Sequence, residues 1–171
     1  MKLLKILFIG LLLCCFVGCK PSLLEPKADK MSCDFPKRIG FVNDYCNFLT
    51  SDETKKLEQT IAGFHAQTGI QIIIVIEDSK KSHSRKFHTP CEISKKWHLD
   101  KPENCHDIII AISRKRTYVD ISYGEKISPE ITKEDHQIIL NKNIIPAFYK
   151  KQYYEGLRLA VAYIVSHQQS S

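Results

Sequence analysis

TGIQIIIVIEDS, residues 68 to 79, contains an apolar run from Ile70 to Ile76 that only Gln71 interrupts. Its isoleucines and valine are β-branched, which favours an extended strand. An apolar run of this length without alternation predicts a strand that is buried on both faces, as in a sheet covered by helices. Gly69 comes just before the run and is typical of a helix end, because glycine adopts the left-handed conformation there at low cost. This stretch therefore predicts a helix, a tight turn and a central strand in one piece of chain.

Further strands are predicted downstream of this one. DIIIAIS, residues 107 to 113, is a second continuous apolar run and predicts a neighbouring buried strand. Between the two runs, Pro90 and the segment Cys91–Leu99 predict a short helix, since proline suits a first helical turn. Two buried strands joined through a helix predict a right-handed crossover. TYVDISYG, residues 117 to 124, alternates between apolar and polar side chains, which predicts an edge strand paired with the second run as a hairpin.

The remaining apolar patterns predict helices around the strands. A capping-box pattern at Thr50 starts the helix that precedes the central strand. A later helix starts at Thr132, and Pro146 predicts that it breaks or kinks near Asn143. Residues 153 to 167 predict a last helix. The expected fold class is α/β, a three-layer α/β/α sandwich in which a small mixed sheet carries helices on both faces.

The first residues have the features of an export signal. Lys2 and Lys5 precede an apolar segment, Leu7–Val17, that is too short to span a bilayer. The end of this segment, Phe16-Val17-Gly18-Cys19, resembles the lipobox of bacterial lipoproteins. The resemblance implies that residues 1 to 18 are a lipoprotein signal peptide and that Cys19 carries a lipid. The alternative is an ordinary cleaved signal in which this cysteine has no special role.

The rest of the chain divides into a tether and a domain. Residues 19 to 37 contain three prolines, several lysines and little apolar pattern, which predicts a tether of extended or disordered character. Residues 38 to 168 form the expected domain, in which Asn43-Asp44 is a turn signal. The formal net charge of +6 is mildly basic, and an exported protein does not meet chromosomal DNA, so no nucleic-acid partner is expected. The expected location is the bacterial cell envelope, with the domain lipid-anchored to a membrane in the periplasm or outside the cell.

Four cysteines beyond Cys19 are candidates for disulfide bonds: Cys33, Cys46, Cys91 and Cys105. In an oxidising compartment they suggest two disulfides, for which three connectivities are possible. A bond between Cys91 and Cys105 is favoured because it would clamp the segment that leads into the second buried strand, which leaves Cys33 with Cys46. Buried free thiols are the alternative.

Several segments together resemble the TPM domain family of exported and membrane-anchored bacterial proteins and chloroplast thylakoid proteins. They are FVNDYCNFLTSDETKKLEQ at 41 to 59, HAQTGIQIIIVI at 65 to 76, DIIIAIS at 107 to 113, VDISYG at 119 to 124 and IIPAFYKKQYYEGLRLAV at 144 to 161. The resemblance covers residues 41 to 165 and implies a TPM-like domain. From other family members it also implies a role in the assembly or stability of membrane complexes, or divalent-cation binding with phosphatase activity.

Two places depart from the family's pattern. Where the family has Asp-Asn-Gly before the second buried strand, this chain has Cys105-His106-Asp107. Where the family has Gly-Tyr-Gly-Leu-Glu, this chain has SYGEK at residues 122 to 126. The resemblance therefore does not carry over an activity that depends on the family's acids at these two loops.

Acidic residues near strand ends are the candidate ligand-binding groups. A ligand site in an open α/β sheet is expected beyond the carboxyl ends of the strands, where Glu77 and Asp78 lie. Asp44, Asp107 and Glu125 are candidates to join them. Several carboxylates together would suit Ca²⁺ or Mg²⁺, and a phosphatase would use such a cation to handle phosphoryl charge. The alternative is that these acids are ordinary solvated loop residues.

Two further groups of residues have weaker interpretations. Histidines and cysteines are dense between residues 83 and 106: His83, His88, Cys91, His98, Cys105 and His106. Their spacing matches no standard transition-metal pattern, and a disulfide with exposed histidines is the simpler account. A basic run, Lys80, Lys81, Arg85 and Lys86, suits either anionic lipid headgroups or a solvated face. His65 and His136 lie on predicted helices and are expected at the surface.

Two functional hypotheses follow. The first is a non-enzymatic, lipid-anchored envelope module that binds a partner protein or supports a membrane complex. The alternative is a divalent-cation-dependent, phosphatase-like hydrolase. They differ in whether three or more carboxylates meet within about 5 Å of one another, near the range for cation coordination.

Overall fold

A computed structural model of the protein describes residues 37–77, 88–99, 107–113, 118–127 and 130–168. Within these residues the chain forms one mixed sheet in the order β1-β2-β3-β4. The strands are β1 (Val42–Asp44), β2 (Gln71–Glu77), β3 (Asp107–Ser113) and β4 (Tyr118–Tyr123). The pairs β1–β2 and β2–β3 are parallel, and β4 pairs with β3 antiparallel as a hairpin at the edge. The predicted central strand, second strand and edge strand are confirmed.

Helical segments cover both faces of the sheet. They are α1 (Ser51–Thr68), α2 (Pro90–Lys96), α3 (Lys133–Gln137), a π-helical segment (Ile138–Ile144), α4 (Ile145–Tyr149) and α5 (Tyr153–Gln168). None of these described helices combines the length and the apolar character that a membrane span requires.

Two hydrophobic cores lie on opposite faces of the sheet. On one face, alternate side chains of β2 and β3, such as Ile74 and Ile110, pack against α1, the π-helical segment and α5. On the other face, the intervening side chains, such as Ile73 and Ile109, pack against Ile93 of α2 and its neighbours. Burying each of these side chains stabilises the fold by roughly 1.5–3 kcal/mol. The three-layer α/β/α architecture predicted from the uninterrupted apolar runs is confirmed.

The local helix signals form as the sequence predicts. Thr50 and Glu53 make a reciprocal capping box at the start of α1. At the other end of this helix, Gly69 adopts φ 75° and its N–H donates to the carbonyl of His65. Thr132 caps α3 in the same reciprocal way. These caps set where α1 and α3 begin, and Gly69 turns the chain from α1 directly into the central strand.

Asn43 and Asp44, which predict a turn, lie in β1 instead. The side chain of Asn43 is fully buried. Its amide donates to the carbonyl of Ile74 and its oxygen accepts from the N–H of Ile39. A polar residue is stable inside this strand because its side chain is bonded to backbone groups that need partners. The turn follows at Tyr45.

Pro146 predicts that the helix breaks or kinks near Asn143, and the chain does not break there but is irregular over Ile138–Ile144. The chain continues through the π-helical segment, in which the N–H of Ile145 donates to the carbonyl of Leu140, five residues earlier. Proline has no N–H and its ring crowds the carbonyl four residues before it. The wider π-helical turn accommodates that crowding, and Pro146 then lies in the first turn of α4.

Candidate functional site

The sheet separates the acids that the sequence predicts as one cation site. In the register of β2 with β3, Glu77 pairs with Ser113 at the carboxyl ends, and Gln71 pairs with Asp107 at the amino ends. Because β4 runs antiparallel, Glu125 follows its end at the edge where Asp107 lies. A strand of this length spans roughly 20 Å. We call these two sides of the sheet the carboxyl edge and the amino edge.

The predicted acids therefore do not converge. Asp44 ends β1 at the carboxyl edge with Glu77, whereas Asp107 and Glu125 lie at the amino edge. Asp78 lies outside the described residues. In the part of the chain that the structure describes, no three His, Cys, Asp or Glu side chains are grouped so that they could hold a metal ion.

Asp44 is bonded to the backbone of the turn that follows β1. One carboxylate oxygen accepts from the N–H groups of Phe48 (2.6 Å) and Leu49 (2.8 Å). The other accepts from the N–H of Cys46 at 3.1 Å. The carboxylate thus holds the turn between β1 and α1.

Glu77 joins the end of β2 to the start of α2. It is only 6% exposed, and both of its oxygens lie 3.0 Å from Nδ1 of His88. The hydroxyl of Ser113, next to it in register, is also buried and lacks a hydrogen-bond partner among the described residues. Glu77 is therefore a buried hydrogen-bond partner of His88.

Asp107 is the buried carboxylate of the amino edge. It is 5% exposed, and its Oδ2 has no hydrogen-bond partner within the described residues. Burial raises the pKa of Asp107 to about 6, and the charges of Arg38 and His65 oppose this rise. A buried acid whose pKa is raised in this way is a candidate for a functional group.

The surroundings of Asp107 are polar. The guanidinium of Arg38 donates to the side-chain oxygen of Gln71 at 2.9 Å. His65, expected at the surface, is half-buried, and its Nδ1 has no partner among the described residues. The N–H of Gly124 donates to the carbonyl of Asp107 at 2.7 Å, and the exposed Glu125 follows it. Asp107 and Gly124, one from each of the two segments that depart from the family's pattern, are therefore in contact at this edge.

A second polar group at Asp135 ties α3 to α5. Asp135 accepts from the hydroxyl of Tyr163 at 2.6 Å and lies 3.6 Å from His167. Hydrogen bonds from Thr132 and Tyr163 lower the pKa of Asp135 to about 2. His136, also expected at the surface, is half-buried and bonds to the hydroxyl of Tyr123 at 3.0 Å. This network stabilises the helical layer.

The carboxyl edge holds an aromatic pocket that the sequence analysis missed. Its volume is about 340 Å³ and it is lined by Phe48, Ile112, Ser113, Tyr118, Val119, Ile145, Phe148, Tyr149, Lys151 and Tyr153. The ring of Tyr153 lies 3.9 Å from that of Phe48 and 5.2 Å from that of Phe148, measured between centroids. Tyr149 is 78% exposed at the rim.

A neighbouring cavity extends this pocket. It is lined by Phe48, Glu53, Lys151, Gln152, Tyr153, Tyr154 and Glu155, and its volume is about 470 Å³. The two cavities share Phe48, Lys151 and Tyr153, so they adjoin, and we call the two together the aromatic groove. A sequence signal was present: AFYKKQYY, residues 147 to 154, is dense in aromatic side chains.

The TPM domain family matches residues 42–167, which is most of the chain. This chain belongs to the TPM domain family. Two solved structures show the same fold. The N-terminal domain of a P. gingivalis protein shares 15% identity with a TM-score of 0.65, covering 76% of this chain and 82% of that one. The N-terminal domain of a Corynebacterium glutamicum protein shares 16% identity with a TM-score of 0.51, covering 81% and 84%. No curated protein matches the chain.

In this TPM domain, the motif at residues 144 to 161 builds the aromatic groove and also packs the helices. Phe148 and Tyr153 of the motif line the groove. Gly156 lies where a Cβ atom would come within 2.9 Å of the Cβ of Ala147 and 3.3 Å of the carbonyl oxygen of Asn143. A larger residue would push α5 away from α4, so the glycine keeps the groove's two helices in contact.

The other predicted sites lie partly outside the described residues. Cys46 is buried and Cys91 is exposed. Their predicted partners, Cys33 and Cys105, are outside the described residues, so both disulfide pairings stay predictions. The same holds for Cys19, for His83 and His106, and for the basic run that starts at Lys80.

Proposed function

We propose that this TPM domain is a lipid-anchored module of the cell envelope that binds a partner protein through the aromatic groove. The observation that carries the proposal is a cluster of aromatic side chains around an open pocket, with Tyr149 78% exposed at its rim. Tyrosine and phenylalanine are enriched where proteins bind one another, because they bury much apolar area with little loss of side-chain entropy.

The groove has the dimensions of a recognition site. A pocket of about 340 Å³ lies in the range of cavities that hold a small ligand or a large side chain. Its floor is built on the strands, at Ile112 and Val119, and one wall is the packed cluster of Phe48, Phe148 and Tyr153. Such a pocket needs little rearrangement to accept a partner, which favours binding.

The anchor makes an envelope partner the natural one. A lipid on Cys19 would hold the domain near a membrane surface through residues 19 to 37. A flexible segment of that length has an r.m.s. span of roughly 25 Å. Proteins in or near the same membrane would then lie within reach of the aromatic groove.

Site-specific cross-linking tests the proposal. A photoreactive p-benzoylphenylalanine in place of Tyr149, in the full chain within its own cell envelope, is expected to give a discrete cross-linked protein adduct on irradiation. Ile39 is the matched control, because it is 72% exposed but precedes β1 at the opposite edge of the sheet. The same adducts from both positions, or none from Tyr149, would contradict the proposal.

A second candidate function is divalent-cation-dependent phosphomonoester hydrolysis at the amino edge. Asp107 has a buried carboxylate oxygen without a partner among the described residues, and Glu125 lies in the adjoining turn. Asp107 and Glu125 would supply two ligands for Ca²⁺ or Mg²⁺, fewer than the three carboxylates named above as the criterion, and such an ion would offset phosphoryl charge. The family that matches this chain also carries phosphatase in its name.

Hydrolysis of p-nitrophenyl phosphate by the full chain tests this candidate. If the function is real, added Mg²⁺ or Ca²⁺ should support turnover, and Asp107→Asn should abolish it. Asp52→Asn is the control, since Asp52 is an exposed acid in the first turn of α1, away from the amino edge. Turnover that survives Asp107→Asn, or that Asp52→Asn reduces equally, would rule out a site at Asp107.

A further inference from the structure

We infer that the aromatic groove recognises a peptide segment that carries a carboxylate next to an aromatic or large apolar side chain. This inference rests on the proposed function and specifies the chemistry of the partner. It follows from the distribution of charge along the groove and from the backbone conformation of one lining residue, Lys151.

The apolar half of the groove specifies the side chain. Ile112, Val119 and Ile145 contribute aliphatic surface, and Phe48 and Phe148 contribute aromatic surface. Aromatic rings prefer to pack edge-to-face or offset against one another, and each such pair adds about 0.5–1.5 kcal/mol beyond the buried area. Phe48 and Phe148 already pack in this way, with centroids 6.0 Å apart. A partner's phenylalanine, tyrosine or leucine would extend the cluster.

The charge of the groove indicates which group lies next to that side chain in the partner. Among the described residues that line the 340 Å³ pocket, Lys151 is the one that carries a charge, and its side chain is exposed. Lys150, beside it in sequence, is also exposed. A ligand carboxylate near the rim would therefore meet positive charge without an acid in the pocket lining to repel it.

The acids of the neighbouring cavity are already engaged. Glu53 accepts from the backbone N–H and the hydroxyl of Thr50, which form the cap of α1. Glu155 accepts two hydrogen bonds from the guanidinium of Arg158, at 2.6 and 2.9 Å. Their negative charges are thus partly offset within the protein, whereas no ion pair is formed by Lys151 with any described residue. Within the part of the chain that the structure describes, the lining of the two cavities holds one lysine and two acids, and the unpaired positive charge lies at Lys151, where a ligand carboxylate would meet it.

The backbone of Lys151 gives an independent reason to single it out. Lys151 has φ 60°, and the N–H of Lys151 donates to the carbonyl of Phe148 where α4 ends. Glycine or asparagine is usual at such a helix end, because other residues cost roughly 1 kcal/mol there. A lysine in this conformation is a strained residue at the junction of the two cavities, where strain often accompanies function.

The shape of the groove favours a peptide over a lipid headgroup. The pocket and the cavity that adjoins it offer room for a side chain and for the peptide chain that follows it. A membrane surface is flat and would meet only the exposed rim, at Tyr149 and Lys150. Membrane docking is therefore the competing outcome.

Binding of defined peptides to the full chain, purified in a zwitterionic detergent, tests the inference. The probe is the fluorescein-labelled hexapeptide Gly-Ser-Asp-Phe-Ser-Gly, followed by fluorescence anisotropy. Two matched peptides replace its Asp with Lys or its Phe with Ala. We expect the first peptide to bind at least about fivefold more tightly than either control, which corresponds to about 1 kcal/mol. Equal affinity for all three peptides, or no binding of any, would overturn the inference.

Two variants of Lys151 distinguish the effect of its charge on binding from an effect on folding. Lys151→Gly removes the charge and suits the left-handed backbone, so we expect a raised melting temperature together with an affinity for the Asp-Phe peptide that falls about fivefold. Lys151→Arg keeps the charge and is expected to retain the affinity. Unchanged binding by Lys151→Gly would show that this side chain does not recognise the carboxylate.

The inference and the proposed function can fail separately. If p-benzoylphenylalanine at position 149 captures an envelope protein that the Asp-Phe peptide does not displace, the binding function stands and the inferred peptide chemistry is wrong. If the peptide does not bind but vesicles with about 30% anionic lipid bind more tightly than neutral ones, and Lys151→Gly removes that difference, the groove rim docks to membranes instead.

Discussion

Asp107 is a buried carboxylate that lowers the stability of the fold at neutral pH. Its pKa is raised from 3.8 to about 6, so the folded state holds the proton more tightly than the unfolded chain does. The stability that comes from protonation is fully present below the unfolded pKa and is lost as the pH rises through about 6. We therefore expect Asp107→Asn to stabilise the protein at pH 7.5, by about 1–2 kcal/mol more than at pH 4.5.

Urea denaturation of both proteins at the two pH values measures this difference. Asp120→Asn provides a comparison, because Asp120 is a half-buried acid on β4 whose carboxylate is bonded to Tyr118. A gain from Asp107→Asn that is the same at both pH values would show that the ionised carboxylate is not the source of the instability.

Asp135 has the opposite behaviour. Hydrogen bonds lower the pKa of Asp135 to about 2, so its ionised form stabilises the folded state above pH 3.8, and this stability is lost as the pH falls through about 2. We expect Asp135→Asn to lower the free energy of unfolding at pH 7 by about 1–2 kcal/mol. When the free energy of unfolding is measured with urea at decreasing pH, the difference between the two proteins should become smaller. A loss that is constant from pH 7 to the acid limb would assign the effect to packing rather than charge.

At the scale of elements, a substitution at Gly156 tests how α5 is packed, and a substitution at Gly63 of α1 is its control. Gly156→Ala places a Cβ atom 2.9 Å from Ala147, in a contact that neither backbone can easily relieve. We expect it to lower the free energy of unfolding by about 1–3 kcal/mol. Gly63→Ala is the matched control, because its Cβ would meet nothing within 4 Å on the exposed side of α1. There alanine should stabilise by about 0.5–1 kcal/mol.

Thermal unfolding of both glycine variants distinguishes the two cases. If Gly156→Ala is as benign as Gly63→Ala, the contact between α4 and α5 is looser than the structure has it. In that case the aromatic groove between these helices would also be adaptable rather than preformed.

The sequence predicts elements well where one local signal is decisive. The β-branched runs predict β2 and β3, because a strand buried on both faces needs apolar side chains throughout. Gly69 predicts the end of α1, because glycine adopts the left-handed conformation there most easily. Two elements were missed. In β1, the buried side chain of Asn43 is stable only through backbone groups of other segments. The π-helical segment depends on how Pro146 is accommodated, which residue types do not reveal.

At the scale of the whole molecule, the candidate sites depend on strand direction. The sequence identifies Glu77, Asp107 and Glu125 as acids near strand ends and also predicts the β3–β4 hairpin. The antiparallel direction of β4 takes Glu125 to the opposite edge from Glu77, and the prediction of one acid site does not take this direction into account. The aromatic groove is even harder to predict from the sequence, because Phe48, Val119 and Tyr153 come from three distant segments. Their proximity exists only after the layers have packed.

The two edges of the sheet should act independently. Asp107 lies at the amino edge and Lys151 lines the pocket at the carboxyl edge, and the strands between these edges span roughly 20 Å, so changes at the two residues should contribute additively. We expect Asp107→Asn to leave the affinity of the Asp-Phe peptide unchanged within about twofold. Peptide binding that weakens in this variant as much as in Lys151→Gly would show that the edges are coupled.

The proposed lipid anchor on Cys19 would determine which partners the whole molecule can meet. Cys19→Ser removes the thiol that would accept lipid, and acyl chains contribute about 0.8 kcal/mol of membrane affinity per buried CH₂. We expect this variant to lose labelling by radioactive palmitate and to leave the membrane fraction, whereas Cys91→Ser, which alters an exposed cysteine of the domain, keeps both properties. Loss of the anchor also lowers the effective concentration of the groove near membrane proteins, so cross-linking from position 149 should fall in parallel. If Cys19→Ser stays on the membrane and is still labelled, the lipid is attached elsewhere. If the released variant still gives the cross-link from position 149, the partner is soluble.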